Sequence, residues 1–499
     1  MLISAAWYYS LFAELFVNLN GPRGHAGIIV PSGIATDATT APFFSWLIKE
    51  ERLSGLISFE NEEFIFPAVH HSFRFCIFSV CSERQAKPMF AFFLRNSGAI
   101  RDKERYFSLS ADQIDLLSPN TGNAPVFRSN SDALLTAKIY TNCPVLVNDR
   151  KGIEGNPWRV EFRQGLFNMA SDSAHFRTAK QLADAGHIRA GVDWVQAGIR
   201  PAQAALSVEG GGAGSLSLSG GGPKVSRYVP LYEAKMIHQY DHRWAGYDAS
   251  GLEANDIELA EKMDRSFEPT PRYWVPEGEV NARLTDKGWN RRWLIGWRDI
   301  TSAHVFRTVI STVFPRAGVG DTLLLKMPEV DDVRLNGAVV GNLCSLVLDF
   351  AARQKVGGTH LKYNVFKQLP ILPPAFYSEP RLAFITPKVL ELTYTSHSLA
   401  PFARDLGHDG PPFVWDDDRR ALLRADLDAF YARAYGLTRD ELRYILDPAD
   451  VKGPDYPSET FRVLKEKEIR HHGEYRTRRL VLAAWDRMAA TGEFAAMGM

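Results

Sequence analysis

Two clusters of basic, amide and aromatic side chains contain the residue types that contact nucleic acids. The first cluster contains Lys235, His238, Gln239, His242 and Arg243, with Tyr232, Tyr240 and Trp244 among them. The second surrounds a glycine pair and contains Arg353, Gln354, Lys355, Gly357, Gly358, His360, Lys362 and Lys367. Arginine and lysine bind phosphates, and arginine and glutamine can also form paired hydrogen bonds with base edges. Both clusters are therefore predicted to contact DNA; the alternative interpretation is a solvated loop that carries a few cations.

The overall composition limits how such contacts could arise. The chain has 499 residues, of which 45% are hydrophobic and 23% are charged, as expected of soluble globular protein. This length exceeds one ordinary core, so about two or three domains are expected. The formal net charge is zero, so DNA binding must depend on local basic clusters and not on a global positive field.

The apolar N-terminal segment raises the question of a membrane span or leader peptide. Residues 2–19 include Glu14 and Asn18 and have no basic n-region, so a helix packed on a sheet is the better interpretation. Cys76 and Cys81 follow two histidines and could be read as metal ligands, but the apolar run 73–81 favours a core strand. We therefore expect a cytoplasmic protein with reduced thiols, no membrane contact and no metal site.

The elements that would position these side chains begin with a helix, a glycine turn and a buried strand. Residues 9–20 predict the helix and residues 28–31 the strand, which together form the repeating half-unit of a doubly wound α/β sheet. In such sheets the ligand lies at the carboxyl ends of strands near the topological switch point. Because this half-unit opens the chain, we expect the first strands of the sheet to come from elsewhere.

Further elements follow in three compositional regions. The first region predicts a helix at 42–51, strands at 54–59, 72–82 and 88–94, and a helix at 132–140 capped by Ser131 or Asn130. Residues 156–390 are rich in aromatic residues and turns, which indicates a largely β domain, and residues 210–222 predict a flexible glycine-rich loop. Within it, Trp289, Trp293 and Trp297 have helical spacing and predict a buried helix face. Helical periodicity then appears at 416–435, 438–446, 459–469 and 474–490.

Several of these segments resemble a known family. Residues 11–15 before Gly24, residues 28–31, residues 59–61 (Phe-Glu-Asn) and residues 66–75 resemble the later motifs of adenine-N6 DNA methyltransferases. Residues 232–243, 354–361 and 368–374 look like the type IIG restriction–modification proteins and their defence-system relatives. The last two segments are similar to the glycine turn, strand and proline exit of target-recognition domains, including those of type I specificity subunits.

The resemblance implies a fold and a set of site residues. It implies a mixed α/β protein with a partial Rossmann-like methyltransferase sheet in 1–100, an α+β target-recognition domain in 101–390 and a helical region in 391–499. Phe12 would pack against the adenine of S-adenosylmethionine, and Pro31 would close the strand beside that pocket. Phe73 or Phe75 would line the pocket of a base taken out of the duplex. For each of these residues, ordinary packing in the core is the alternative.

Two parts of the family pattern are absent from the sequence. These are the glycine-rich loop that holds S-adenosylmethionine and the Asn/Asp-Pro-Pro-aromatic tetrapeptide whose carbonyls accept hydrogens from the adenine amine. Asn156-Pro157-Trp158 has one proline and lies after the later motifs, so we predict a turn entering a strand. No catalytic residue is therefore assigned, and S-adenosylmethionine would bind only with a separate or upstream polypeptide.

Three hypotheses remain open from the sequence. The chain is the C-terminal part of a site-specific DNA adenine-N6 methyltransferase that recognises duplex DNA, or a non-catalytic DNA specificity module, or a truncated and inactive remnant. A nuclease is disfavoured, because Glu466 and Lys467 are adjacent where the metal-dependent motif has one residue between them.

Overall fold

The computed structural model describes residues 8–37, 39–84, 87–196, 227–248 and 250–499. Within them the chain is a mixed α/β protein with several sheets and many helices. The glycine-rich segment 210–222, predicted to be a flexible loop, lies outside the described residues.

The N-terminal region alternates helices and strands, as the sequence predicts. In chain order these are α1 (Tyr8–Leu19), β1 (His25–Pro31), α2 (Gly33–Thr36), α3 (Ala41–Lys49), β2 (Leu53–Glu60), β3 (Arg74–Cys81), β4 (Met89–Leu94) and β5 (Phe107–Ser108). The predicted helices at 9–20 and 42–51 and all four predicted strands of this region are present. Cys76 and Cys81 are buried in β3, which confirms the prediction of a core strand.

The first five strands form one mixed sheet in the order β1-β3-β2-β4-β5. β3 is antiparallel to both β1 and β2, whereas β2 and β4 are parallel. The antiparallel step arises because β3 follows β2 without a crossover helix and returns directly beside it. The sheet is therefore not a purely parallel continuation of a doubly wound fold. The ends of β1 and β2 and the start of β3 lie side by side along one edge of the sheet, the edge that is formed by strand ends.

The outer edge of this sheet is exposed. β1 pairs only with β3 among the described residues, and Ile29 on β1 is 60% exposed. α1 packs beside β1 and buries Ala13 and Val17, but most of its apolar side chains are exposed. These are Tyr8, Leu11, Phe12, Leu15, Phe16 and Leu19. Continuous apolar surface of this kind is typical of an interaction site.

The middle region contains most of the strands. Its elements are α4 (Ala111–Leu117), α5 (Asn130–Asn142), β6 (Val160–Arg163), α6 (Ala179–Asp184), β7 (His187–Ala190), β8 (Asp193–Gln196), β9 (Arg227–Tyr232), β10 (Ala245–Tyr247), β11 (Ala254–Asp256), α7 (Leu259–Met263), β12 (Trp274–Pro276), α8 (Glu277–Thr285), β13 (Trp293–Arg298), β14 (Ser311–Pro315), β15 (Gly318–Val319) and β16 (Leu323–Pro328). One sheet has the order β12-β9-β8-β7 with β15 beside β9, a second has the order β14-β13-β16-β6, and β10 pairs with β11.

Two sequence predictions in this region need correction. Trp289, Trp293 and Trp297 are buried, but Trp293 and Trp297 lie on a strand and not on a helix. A spacing of four residues places side chains on one face of a strand as well as of a helix, so the spacing alone could not distinguish them. The cap of α5 is Ser129, whose side chain accepts a hydrogen bond from the N–H of Asp132, in place of Ser131 or Asn130.

The C-terminal region is helical. It contains α9 (Arg334–Cys344), α10 (Leu346–Arg353), α11 (Tyr363–Phe366), α12 (Glu379–Thr393), α13 (Ala400–Asp405), α14 (Asp417–Ala434), α15 (Arg439–Leu446), α16 (Pro448–Lys452), α17 (Arg462–His472), α18 (Arg476–Ala490) and α19 (Glu493–Ala496). The four helices predicted after residue 415 are all confirmed as α14, α15, α17 and α18.

One large cluster of buried apolar residues runs from α1 through the middle sheets to α19. The predicted division at residues 100 and 390 stays a prediction. In the described part of the chain no single helix has the length and hydropathy to cross a bilayer, although the bent pair α9 and α10 has them when taken together.

Candidate nucleic-acid interface

A loop with exposed aromatic residues connects β2 to β3 at the edge of the sheet where β1 and β2 end and β3 begins. Asn61 is fully buried and holds this loop: its amide donates to the carbonyls of Phe66 (3.0 Å) and Val69 (2.8 Å), and its Oδ1 accepts from the N–H of Phe66 (2.9 Å). Phe73 at the end of the loop is 61% exposed. A fixed loop with an exposed ring can stack on an unpaired base at small entropic cost.

Phe75 lies beside this loop and is half-buried. Its ring stacks on Phe59 at 5.2 Å between centroids and meets the edge of Phe66 at 4.8 Å. In the sheet register it is opposite both Pro31 on β1 and Phe59 on β2. The structure therefore brings Pro31, Phe73 and Phe75 to one edge, with Phe73 facing solvent and Phe75 packed against neighbouring rings.

A group of charged side chains extends from this edge, and we name Glu60, Arg74, Arg95, Arg128 and His304 the junction cluster. Glu60 is buried and accepts from Arg74 at 3.0 Å and from Arg95 at 3.5 Å. Arg128 makes no ion pair within the described ranges. Two guanidiniums thus share one carboxylate, and Arg128 adds a third positive charge to the cluster.

Arg128 is held by a ring and an imidazole. Its guanidinium lies 4.2 Å from the ring centroid of Phe93, a buried residue whose φ of 62° is unusual for a non-glycine residue. Burial lowers the pKa of Arg128, but the group still carries its charge at neutral pH. Arg128 is therefore a partly desolvated donor without a direct ion pair, and the charges of Glu60 and Asp132 oppose the effect of burial on its pKa.

His304 links the arginines of the junction cluster. Its Nδ1 lies 3.2 Å from Nη2 of Arg128, and its Nε2 lies 3.8 Å from Glu60 Oε1. Burial and then Arg128 lower the pKa of His304 to about 4, so the ring is neutral at pH 7. Nε2 also lies 3.4 Å from Nη2 of Arg74, so the neutral ring lies between two guanidiniums and can accept a hydrogen bond from one of them.

The glycine pair of the second sequence cluster meets the same edge. The Arg74 guanidinium donates to the carbonyl of Gly357, 283 residues away in the chain. Gly358 and His360 are exposed, and His360 Nδ1 lies 3.1 Å from Asp299 Oδ2. The predicted base-binding strand and the predicted recognition loop are therefore neighbours in space, with the junction cluster between them.

Other members of the second cluster face inward. The Lys355 ammonium donates to the carbonyl of Leu117 and to Ser118 Oγ (2.6 Å), and burial lowers its pKa to about 7. Gln354 is 5% exposed, and its main-chain carbonyl accepts from Val126. The predicted DNA contacts of Gln354 and Lys355 are not supported, because contacts with the end of α4 and with the segment between α4 and α5 occupy both residues.

Arg243 of the first cluster is a structural residue. It is fully buried, and its guanidinium donates to four main-chain carbonyls, those of Lys262, Asp264, Phe267 and Thr395, at 2.7–3.1 Å. The predicted DNA contact is corrected on this ground, because a phosphate or base would have to displace four hydrogen bonds inside the core.

The rest of the first cluster is also largely buried. Gln239 donates to the carbonyl of Val309 at 2.7 Å, and His238 stacks on Trp244 at 4.3 Å. Burial lowers the pKa of His238 well below its usual range. DNA contacts by Gln239 and His238 are therefore not supported. Lys235 alone of the predicted DNA contacts in this cluster is exposed, with its ammonium 4.6 Å from the ring of Tyr247.

The two predicted cofactor contacts are exposed. Phe12 is 58% exposed, so the alternative of a core aromatic is wrong, and Pro31 is exposed at the end of β1. A Cβ at Gly33 would lie 2.3 Å from Asp37 and 3.2 Å from the Tyr9 hydroxyl, so this chain's own side chains fill that space. The described residues supply one open wall and no cradle for S-adenosylmethionine, and we derive no methyl-transfer step from them.

The Asn156-Pro157-Trp158 segment is a turn, as the sequence predicts. Asn156 bonds both the N–H (2.9 Å) and the carbonyl (3.2 Å) of Val160, and Trp158 is fully buried, so this segment is a turn that enters β6. In the described ranges no group of three or more histidine, cysteine or acidic side chains is placed to hold a metal ion.

Sequence reasoning missed Arg95, Arg128 and His304. Each is isolated among residues of other kinds, so no local cluster reveals it. A partial signal exists in the strand order: Glu60 ends β2, Arg74 begins β3 and Arg95 follows β4. Because β3 is antiparallel to β2 and β4 is parallel to it, these three positions must meet at one edge.

Comparisons with known proteins give a limited result. No family model and no curated protein sequence matches the chain. Similar solved structures include the type IIG restriction endonuclease BpuSI, with 10% identity and a TM-score of 0.29 over 87% of this chain and 49% of that chain. They also include the type IIL restriction-modification enzyme MmeI in complex with DNA, with 10% identity and a TM-score of 0.37 over 96% of this chain and 52% of that chain. The chain spans about half the length of these two proteins.

Proposed function

We propose that the chain is the DNA-recognising C-terminal part of a site-specific DNA adenine-N6 methyltransferase of a restriction–modification or phage-defence system. The observation that carries the proposal is the contact between Arg74 on β3 and Gly357 in the glycine loop. This contact joins the segment expected to receive an extruded base with the segment expected to recognise the sequence, although they are far apart in the chain.

The junction cluster supplies the electrostatic part of the proposal. Three guanidiniums around one carboxylate leave about two positive charges at the mouth of this edge. Arginine forks bind phosphate oxygens in a bidentate manner, and each neutralised phosphate releases counterions. Affinity for duplex DNA should therefore fall steeply as salt concentration rises.

Phe73 supplies the apolar part. Its exposed ring lies in the loop that Asn61 holds in place, next to Arg74. An extruded adenine could stack on this ring while the arginines hold the flanking phosphates. The proposal assigns positioning of DNA to this chain and assigns no proton or methyl transfer to its residues.

The proposal places the missing part of the active site next to β1, the outermost strand of the N-terminal sheet. β1 has an unpaired side among the described residues, and α1 next to it exposes six large apolar side chains. A segment that carries the cofactor loop and the acceptor tetrapeptide, on an upstream or separate polypeptide, would extend the sheet from β1 and cover α1. S-adenosylmethionine would then bind between that segment and the ends of β1 and α1.

Fluorescence anisotropy with duplex oligonucleotides tests the DNA-binding function. We expect binding at 50 mM salt that weakens strongly by 200 mM, and an affinity at least fivefold lower for Arg128→Gln. Arg439→Gln is the matched control, because Arg439 is an exposed arginine paired with Asp486 outside the junction cluster. Unmeasurable binding at low salt would reject the proposal and favour an inactive remnant.

A non-catalytic specificity module is the second candidate, favoured by the side chains of Asp37 and Tyr9 that fill the space beside Gly33. Calorimetry with S-adenosylmethionine separates the two functions. We expect no binding to the chain alone and binding with methyl transfer once a polypeptide with the cofactor loop and tetrapeptide is added. Sequence-specific DNA binding without methylation under that condition would favour the specificity module.

A further inference from the structure

A second region with unpaired cations lies away from the junction cluster, in a cavity of about 480 Å³ that we name the helical cavity. It is lined by the segment 238–244, by Phe306, Arg307, Cys344 and Trp415, and by α14, α17 and α18. Its volume is within the range of small-molecule sites, roughly 300–1,000 Å³.

Four cations line the helical cavity without an ion pair to a described carboxylate, and one of them, Arg420, donates to the carbonyls of Leu392 and Tyr240. Arg307, Arg424 and Lys467 make no ion pair within the described part of the chain. Arg307 is 6% exposed, donates to the carbonyl of Cys344, and leaves its Nε without a hydrogen-bond partner there. Arg424 makes no hydrogen bond among the described residues, and its side chain is in contact with the solvent of the cavity.

The carboxylates of the cavity wall are occupied by other groups. Asp241 forms a buried ion pair with Lys262 at 2.7 Å, and Glu468 accepts from the N–H of Thr477 at 2.7 Å. Asp428 accepts from the N–H of Leu346, and burial raises its pKa to about 6. None of the three cations forms a direct ion pair with these carboxylates, although the nearby charges of Asp428 and Glu468 partly oppose the lowering of the pKa of Arg424 by burial and by Arg307.

Aromatic rings form the rest of the wall. Trp244, Phe306 and Trp415 line the cavity, and the Arg420 guanidinium covers Trp415 at 3.7 Å from the ring centroid. Lys467 lies 5.3 Å from the ring of Phe306, so a cation and a flat apolar surface are adjacent. A ligand that combines a flat ring with a phosphate matches this arrangement better than an inorganic anion or an apolar molecule does.

We propose that the helical cavity binds a free phosphorylated nucleoside, with its phosphate on Arg307, Arg424 and Lys467 and its base against the aromatic wall. This site is additional to the proposed DNA interface, shares none of the junction-cluster residues, and does not depend on the proposed function. Small-molecule occupancy would also fix α14, α17 and α18 against the segment 238–244.

Isothermal titration calorimetry of the full chain with AMP, adenosine and inorganic phosphate tests the proposal. We expect AMP to bind at least tenfold more tightly than adenosine or phosphate alone, since only AMP uses both parts of the site. Arg424→Gln should weaken AMP binding at least tenfold. The substitution breaks no hydrogen bond of the described structure, so the thermal midpoint without ligand should change little.

Arg433→Gln is the matched control, because Arg433 is an exposed arginine on the same helix and does not line the cavity. It should leave AMP binding unchanged. Absence of AMP binding at millimolar concentration, or equal AMP binding by Arg424→Gln and the wild type, would overturn the proposal. So would weaker duplex binding by Arg424→Gln without any AMP binding, since the cavity cations would then serve the DNA backbone. None of these results depends on Arg128, whose variant tests the DNA interface separately.

Discussion

The first sequence cluster and the junction cluster contain similar residues in opposite situations. In the first, Arg243 donates to four main-chain carbonyls and Asp241 is neutralised by Lys262, so neither Arg243 nor Asp241 is left to contact DNA. In the junction cluster, Arg128 is paired with no carboxylate among the described residues and keeps donors for an outside partner. A dense run of basic residues in the sequence is therefore weaker evidence of binding than isolated arginines that converge on one exposed edge.

The largest expected effect tests the structural side of this contrast. Arg243→Met should lower the free energy of unfolding by about 3–5 kcal/mol, because four buried carbonyls lose their donor and Asp241 and Lys262 lose a neighbour. Urea denaturation followed by circular dichroism measures this change. A loss below about 1 kcal/mol would mean that Arg243 is not a structural anchor.

The second largest expected effect is the loss of unfolding free energy as the pH falls. His242 is fully buried, and burial and then Arg243 lower its pKa to about 3. Because the unfolded histidine titrates near 6.5, its contribution is present above that pH and is lost as the pH falls toward the folded value. Between pH 6.5 and 5 the wild type should lose about 2 kcal/mol more than His242→Gln. Equal losses in both proteins would contradict burial of a neutral imidazole.

A substitution in the junction cluster should change the affinity for duplex DNA and not the free energy of unfolding. Arg128→Gln should lower duplex affinity about five- to tenfold and make the slope of log K against log salt less negative by about one. Anisotropy titrations from 50 to 200 mM salt provide both values. An unchanged salt slope would remove Arg128 from the phosphate contacts.

A substitution at Phe73 distinguishes the contribution of ring stacking to DNA affinity from the contribution of charge at the same edge of the sheet. Phe73→Ala should weaken binding to a duplex with an unpaired adenine by about 1 kcal/mol and leave the salt slope unchanged. Its stability should change by less than about 0.5 kcal/mol, since the ring is largely exposed. A destabilised variant with unchanged DNA binding would assign Phe73 to packing.

The smallest effect concerns Lys235, the exposed exception in the first cluster. Lys235→Gln should lower duplex affinity about two- to threefold, as expected for one peripheral phosphate contact. The same anisotropy assay measures it. A tenfold loss of duplex affinity would indicate that the first cluster is a DNA-recognition surface and would contradict the contrast between the two regions.

The fold was more predictable than the site. Periodicity or an uninterrupted apolar run locates α14, α15, α17 and α18 and the strands β1 to β4 within a few residues. The direction of β3 was not predictable from its apolar run, since both parallel and antiparallel strands bury such sequences. The tryptophans of β13 were assigned to a helix because their spacing of four residues fits both periods.

The positions of candidate site residues were predictable near chain turns but not where contacts between distant segments determine them, and the DNA contacts of these residues stay predictions. Phe73, Pro31 and Gly357 fall at one edge because they end or begin elements that the sequence identifies. Arg243 and Lys355 were expected to reach DNA, but their partners come from segments 19 to 238 residues away, which no local pattern contains. Arg128 and His304 were missed for the same reason, since their relation exists only in the folded chain.

The open side of β1 also bears on the order in which a complete assembly forms. The main apolar core already includes α1 and extends to the last helix, so the described part can fold before that side is covered. A strand added there would form backbone hydrogen bonds with β1, which the sheet already holds in place. β1 would therefore set the register of the added strand. If the proposed function holds, the added segment would therefore fold last, on a strand that the described part of the chain already contains.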